Sequence, residues 1–381
     1  MKDRTRGRAA GYRVAIIGSR GYPYIYSGYE TFVQELSERL VGDGVGVTVY
    51  CHRNLFPVRP REVNGVRLVY VPTVERKTLS QLLTSFQSLV HACFQGYDLI
   101  LVVNSANGPL GILPRAFGKK AVINVDGLEW RRPKWKGLGA WYFHWASWCA
   151  TRLYDAVITD SFEMQKIYER EFGSPSTVIA YGASRPEPVR AGTLRRWGLA
   201  KGDYYLVVGR LIPDNNCDTI ITEFLKTRST RRLVVVGDDP YRDRYALKLK
   251  AVRDPRLLFT GYVCRPGELT ELYQSCFAYL HGHEFGGTNP SLLAALGCGC
   301  AVCALDTVFN REVLEDGRDG LFFTKAEGDL KARVEEMERR PRMLASLRTR
   351  SRSRIKGNYT WEKIAAQYRE LFETTLAEGK K

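Results

Sequence analysis

Apolar positions along the 381-residue chain follow two alternating rhythms. Short, β-branched runs predict strands buried on both faces: RVAIIG (13–18), VGVTVYCH (45–52), YDLILVVN (97–104), KAVINVD (120–126) and DAVITD (155–160). Helical periods lie between them. In YETFVQELSERLVGDG (29–44), Phe32, Val33, Leu36 and Leu40 share one face, and LSQLLTSFQSLVHACF (79–94) repeats apolar residues at helical spacing. The rhythm then restarts with YYLVVGR (204–210), RRLVVVGDD (231–239), RLLFTGYV (256–263), CFAYLHG (276–282) and GCAVCALD (299–306). Two successive βαβ series predict an α/β protein with two doubly wound, Rossmann-like domains facing across a cleft. The Pro- and charge-rich SRPEPVRAG (184–192) marks the boundary, giving a first domain over 1–190 and a second over 191–359. The amphipathic TWEKIAAQYRELFETTL (360–376) predicts a helix that packs back on the first domain.

Composition is that of a globular protein, with 44% hydrophobic and 26% charged residues. No run approaches the length of a membrane span. The N-terminal MKDRTRGRAA is basic and lacks a signal-peptide core, so a cytoplasmic protein is expected. A net charge of +16, with both halves basic, points to a polyanionic partner: nucleic acid, an anionic membrane surface or a phosphate-bearing substrate. Nucleic acid is disfavoured, because no helix-turn-helix, RNP or zinc-ligand pattern is present and a nucleic-acid binder leaves two βαβ series unexplained. Among nine cysteines only Cys298, Cys300 and Cys303 cluster. They lack a neighbouring His and read as buried, reduced thiols rather than metal ligands.

Candidate chemistry sits at the strand ends. GSRGYPYIYSGYE (18–30) joins the first strand to the first helix, where glycines permit close backbone approach and a helix start offers N–H groups to an anion. An ordinary Gly-containing turn reads the same way. In VGRLIPDNN (208–216), Arg210 emerges at a strand end, suited to a bidentate phosphate contact or to a surface ion pair. In HGHEFGGTNPSLLAALG (281–297), Pro290 is a natural first helical residue, so the helix starts with its amides directed at Gly286, Gly287, Thr288 and Asn289. A diphosphate suits that loop. Glu284 precedes the anion site and suits sugar hydroxyls better than phosphate; a solvated loop acid is the plainer alternative.

These stretches, with DGLEWRRPKW (126–135), occur in the order and spacing of the GT-B glycosyltransferases of retaining family 4, and the chain resembles that family over nearly its whole length. More narrowly it resembles the bacterial rhamnosyltransferase-like branch that builds capsule and cell-wall polysaccharides. The resemblance implies a loop from Gly18 through Gly21 to Gly28 that closes over the donor diphosphate, with acceptor-side positions at Glu30, Trp130 and Arg131. Asp126 stands where many relatives carry a His near the reacting sugar. Arg210 matches a phosphate-binding Arg, Glu284 the first of two paired Glu, and Gly286, Gly287, Thr288 and Asn289 the diphosphate loop. Two departures stand out: Asn215 replaces a phosphate-binding Lys, and Ala294 replaces the second Glu, which in relatives binds the nucleotide ribose. A donor with deoxyribose tolerates that loss, which favours a dTDP-sugar, and the branch suggests dTDP-L-rhamnose. A UDP- or GDP-sugar is the alternative. No D-x-D triad is present, so neither metal nor other cofactor is expected.

EWRRPKWKGLGAWYFHWASW (129–148) holds five of the seven Trp beside Arg131, Arg132, Lys134 and Lys136. Trp141, Trp145 and Trp148 share a helical face. Such a segment suits the headgroup layer of an anionic membrane, or a groove for a lipid-diphosphate or glycan acceptor, with core packing as the alternative for some of the rings. A peripheral protein at the inner face of the cytoplasmic membrane is expected.

Overall fold

The computed structural model describes residues 11–23, 28–73, 79–133, 135–190, 192–239, 243–265 and 267–378. The basic N-terminal tail and Lys134 lie outside them. The chain forms two compact units: residues 1–130, 135–180 and 361–381, and residues 131–134 with 181–360.

The first unit is built on an eight-stranded sheet: β1 (Arg13–Ile17), β2 (Gly46–His52), β3 (Glu62–Val63), β4 (Val66–Val71), β5 (Leu99–Val103), β6 (Lys120–Asn124), β7 (Ala156–Thr159) and β8 (Thr177–Val178). Its order is β3-β4-β2-β1-β5-β6-β7-β8, parallel except for the β3–β4 pair. That pair is a hairpin missing from the pattern read above. Asn64 and Gly65 both take positive φ, 51° and 78°, as a two-residue primed turn demands. β5 is buried at all five positions, as a strand covered on both faces should be. The order reverses between β1 and β5, which opens a crevice at their carboxyl ends.

Helix Gly28–Gly42 buries Phe32, Val33, Leu36 and Leu40, as its periodicity requires. The C-terminal helix Trp361–Ala377 belongs to this unit and buries Ile364, Tyr368 and Phe372. The Tyr368 ring lies 5.4 Å from that of Phe32, and Asn124 Nδ2 donates to the Tyr368 hydroxyl at 2.5 Å.

The second unit carries β9 (Tyr204–Val208), β10 (Arg232–Val236), β11 (Leu257–Gly261), β12 (Ala278–His281), β13 (Val302–Leu305) and β14 (Leu321–Phe323), all parallel, in the order β11-β10-β9-β12-β13-β14. Tyr205, Val207, Leu233, Val235, Leu280 and Phe323 form the sheet's share of a core closed by Ile220, Phe224, Leu344 and Leu347 from helices. The order reverses between β9 and β12, so Arg210 and Glu284, which follow these two strands, belong to neighbouring loops.

Phe372→Ala is expected to lower the unfolding free energy by about 3–5 kcal/mol, since a fully buried aromatic side chain is replaced by a cavity. Urea denaturation of the whole chain measures it.

Candidate functional site

In the second unit, polar side chains stitch together the loops after β9 and β12. Asn216 holds φ at 48° at the start of helix Cys217–Leu225, and its Nδ2 donates to the Gly282 carbonyl at 2.9 Å and to Glu284 Oε2 at 3.2 Å. The Glu284 amide donates to the Asp214 carbonyl at 3.1 Å. Lys325 Nζ lies 2.6 Å from Glu284 Oε2. One carboxylate oxygen of Glu284 is therefore held twice, and among the described residues Oε1 has no hydrogen-bond partner. Gly282 admits no side chain: a Cβ would stand 2.3 Å from the Asn215 carbonyl oxygen.

Arg210 is exposed, and among the described residues its guanidinium has no carboxylate partner. The Asn215 carboxamide donates to the Arg210 carbonyl at 2.8 Å. Asn215 thus shapes the Arg210 loop through its side chain instead of presenting a charge, as a Lys would. Asp214 is buried, 3.7 Å from Arg132 Nη1.

Beside Arg210 sits an imidazole pair that no sequence motif marks. His281 and His283 stack at 4.5 Å with 12° between planes. The Tyr279 hydroxyl donates to Ser291 Oγ at 3.1 Å, which leaves its oxygen to accept from His281 Nδ1 at 3.2 Å. Ser291 Oγ in turn donates to Asn289 Oδ1 at 2.8 Å. Burial lowers the His281 pKa to about 3. Burial lowers His283 well below its ordinary value too, reinforced by His281, Arg210 and Arg132. The pair is neutral at pH 7 next to an unpaired Arg.

The loop expected to meet a diphosphate is built on a glycine turn and a helix cap. Gly286 takes φ of 106°, a conformation natural only to glycine. Asn289 caps helix Pro290–Gly297, its Oδ1 accepting from Ser291 N at 3.0 Å. Gly287 and Thr288 are buried, and Thr288 Oγ1 accepts from Tyr181 N at 2.9 Å. The Asn289 and Thr288 side chains thus brace the loop, which leaves the backbone to meet a ligand. Ala294 lies one turn into this helix, half-buried.

The first unit groups a second set of positions. Gly18, at φ 107°, approaches β5 so closely that a Cβ would fall 2.4 Å from the Val103 carbonyl oxygen. Gly21, at φ 127°, is hemmed in by Cys51 and Phe56. Glu30 is only 3% exposed, and its Oε1 accepts from Arg20 N at 3.1 Å. Its carboxylate clamps the loop from inside. Gly28 begins the following helix; residues 24–27 of the loop lie outside the described residues. Asp126 follows β6, half-buried. Trp130 packs its ring against Tyr168 and Phe172, and its Nε1 donates to Glu171 Oε2 at 3.1 Å, a structural seat. Arg131 is exposed and falls with the second unit, whereas Trp130 falls with the first.

The five clustered Trp divide. Trp130 and Trp135 are packed, Trp135 against Phe143 at 4.8 Å. Trp141, Trp145 and Trp148 on helix Leu138–Leu153 are 64%, 39% and 46% exposed, with Leu138 beside them at 85%. Trp141 and Trp145 stack parallel, 6.0 Å apart. Among the described residues no helix is long and apolar enough to cross a membrane.

Two Rossmann-like domains with phosphate-type loops at the switch points of their sheets define the GT-B architecture. The comparisons agree. Residues 26–184 match the model for "Glycosyltransferase Family 4" and residues 202–339 that for "Glycosyl transferases group 1". The two models together span most of the chain, which carries glycosyltransferase domains of both kinds and is a transferase enzyme. Sucrose-phosphate synthase from Thermosynechococcus elongatus has a similar structure, with a TM-score of 0.81 and 19% identity over 96% of this chain and all of that one. HepE of Anabaena in complex with UDP-glucose gives 0.77 and 16% over 95% of this chain and 99% of its own. A glycosyltransferase from Rickettsia africae gives 0.73 and 10% over 96% and 99%. No curated protein matches the sequence.

The buried His281 supplies a pH test. Its folded pKa is depressed, so its contribution to stability is complete above pH 6.5 and is lost as pH falls from 6.5 toward about 3, where the unfolded chain alone takes up the proton. Between pH 6.5 and 5 this amounts to about 2 kcal/mol, and His281→Phe should remove that slope of roughly 1.4 kcal/mol per pH unit. Denaturant titrations of both proteins across that range measure it.

Proposed function

We propose that the protein is a retaining glycosyltransferase that moves a sugar from a nucleotide diphosphate, dTDP-L-rhamnose, onto a glycan or lipid-diphosphate-linked acceptor in the synthesis of a bacterial surface polysaccharide. The observation that carries the reading is the switch point of the second unit: an unpaired Arg210 beside a neutral imidazole pair, a tethered Glu284, and a glycine loop leading into a capped helix N-terminus. Solved glycosyltransferases of similar structure hold UDP and UDP-glucose.

In this reading Arg210 and the amides of the Gly286–Asn289 loop take the donor diphosphate and stabilise the charge that grows on it as the glycosidic bond breaks. Glu284 Oε1 accepts from hydroxyls of the donor sugar, its other oxygen being fixed by Asn216 and Lys325. The acceptor hydroxyl attacks the anomeric carbon on the face the diphosphate leaves, and a phosphate oxygen takes its proton, so no protein base is required. Asp126 supports the reacting sugar from the first unit, and Gly18 and Gly21 shape that unit's ligand loop. Lacking a D-x-D triad, the site manages the diphosphate's charge with cations and amides of its own, and no metal takes part. The exposed Trp141, Trp145 and Trp148 hold the enzyme to the inner face of an anionic membrane, where a lipid-linked acceptor resides.

Thermal shifts with dTDP, UDP and GDP, followed by nucleotide release from dTDP-rhamnose with a lipid-diphosphate acceptor, test the donor. The largest shift is expected with dTDP, and Ala294→Glu should move the preference toward UDP. A UDP or GDP preference in the natural protein would discard the rhamnose assignment and leave the enzyme class intact. Turnover is expected to survive excess EDTA; loss of activity with recovery on added Mg²⁺ or Mn²⁺ would sink the metal-free mechanism.

A further inference from the structure

The amino-terminal edge of the second unit's sheet carries a feature for which the donor reading has no use. A cavity of about 750 Å³ opens there, on the edge opposite Arg210 and Glu284. Lys201 precedes β9, Ser275 precedes β12, and Cys300 precedes β13. Helix Pro341–Asn358 forms another wall. It sets Leu344 and Leu347 into the core and presents Arg348 and Arg352, one turn apart, to the cavity.

Arg185, Lys201, Arg348 and Arg352 thus surround one space, and no Asp or Glu lines it. Arg348 donates to the Phe277 carbonyl at 2.6 Å. Among the described residues the side chains of Arg185, Lys201 and Arg352 have no ion-pair partner. Several other cations of the unit are paired: Arg196 with Glu268, Arg231 with Glu338, Lys250 with Asp238 and Arg311 with Asp306. Acids are excluded locally. Helix Pro341–Asn358 itself bears Arg342, Arg348, Arg350, Arg352, Arg354 and Lys356 and no Asp or Glu. The floor adds no negative charge either, since burial raises the Cys298 thiol to about 12 and Cys300 well above its ordinary value.

Four like charges around one cavity repel until an anion joins them. We propose that this cavity is a second anion site, separate from the donor site, that takes a phosphate-bearing group, either free phosphate or pyrophosphate or the phosphodiester headgroup of an anionic lipid. The forked donors of Arg348 and Arg352 match phosphate oxygens, and the Thr349 and Ser353 hydroxyls at the same wall add uncharged donors.

The test compares the full chain with a Lys201→Gln/Arg352→Gln variant, whose two side chains are exposed. Calorimetric titration with pyrophosphate in saturating dTDP, and flotation with phosphatidylglycerol vesicles at low salt, read the two sources. At least a tenfold loss of pyrophosphate affinity with unchanged flotation supports a free anion. A tenfold loss of vesicle partition with no pyrophosphate binding supports the headgroup, and loss of both supports a site that takes either. Equal behaviour of the two proteins in both assays overturns the proposal, as does an effect confined to binding of single-stranded RNA. The dTDP-induced thermal shift should be the same in both proteins, so failure here is distinguishable from failure of the donor reading.

Discussion

The second unit's ligand site depends on one carboxamide. Asn216 reaches from the loop after β9 to the Gly282 carbonyl and Glu284 carboxylate in the loop after β12. Past their last ladder bonds, two parallel strands have backbone groups with no regular partner, and side chains must supply them. Asn216 does so from a left-handed conformation that Asn adopts more readily than most residues. Asn215 acts likewise on the carbonyl of Arg210. A Lys at Asn215 would bring a charge to the phosphate but could not donate from a planar amide at that angle. The pair of Asn therefore forms a rigid frame between the two loops.

That frame determines the local electrostatics. His281 and His283 place neutral rings near Arg210, which among the described residues has no carboxylate partner. A cation without a neighbouring carboxylate keeps its attraction for an anion undiminished. The stacked rings also tie the frame to the helix, since His281, Tyr279, Ser291 and Asn289 form one hydrogen-bonded chain ending at the helix cap. Arginine and amide donors are thereby held to one another through side chains that need never touch a ligand.

Long strands and helices were legible because burial on both faces leaves unbroken β-branched runs, and burial on one face leaves a helical period. The hairpin at Asn64-Gly65 was also written in the chain, but with two residues in β3 its turn signal outweighed its strand signal. β8 and β14, of two and three residues, give no period to detect. At the candidate site, residue types suited to phosphate stood out in sequence, whereas those that brace them did not. Lys325 lies 41 positions from the Glu284 it holds, a pairing only the fold creates. Glu30 and Trp130 show the converse. The resemblance marked them as acceptor-side positions, and in the first unit one clamps a loop and the other fills an aromatic cluster, roles that no residue type announces.

Ala294 gains meaning from this rigidity. A charge-assisted hydrogen bond contributes roughly 1.5–3 kcal/mol, so a helix that lacks the ribose-binding acid forgoes one to two orders of magnitude in affinity for a ribonucleotide. A flexible site could recover the loss by shifting the nucleotide toward other donors. Here the helix start is fixed by the Asn289 cap, by the Thr288 contact with Tyr181 and by the Tyr279–Ser291 bond, so in the proposed reading a diphosphate would be positioned before the pentose. If the proposed donor reading holds and the pentose lies at Ala294, a ribose hydroxyl there would be desolvated without an acidic partner, while a deoxyribose would leave nothing unpaired at that position. Discrimination then comes from the penalty on the wrong sugar, not from an added contact to the right one.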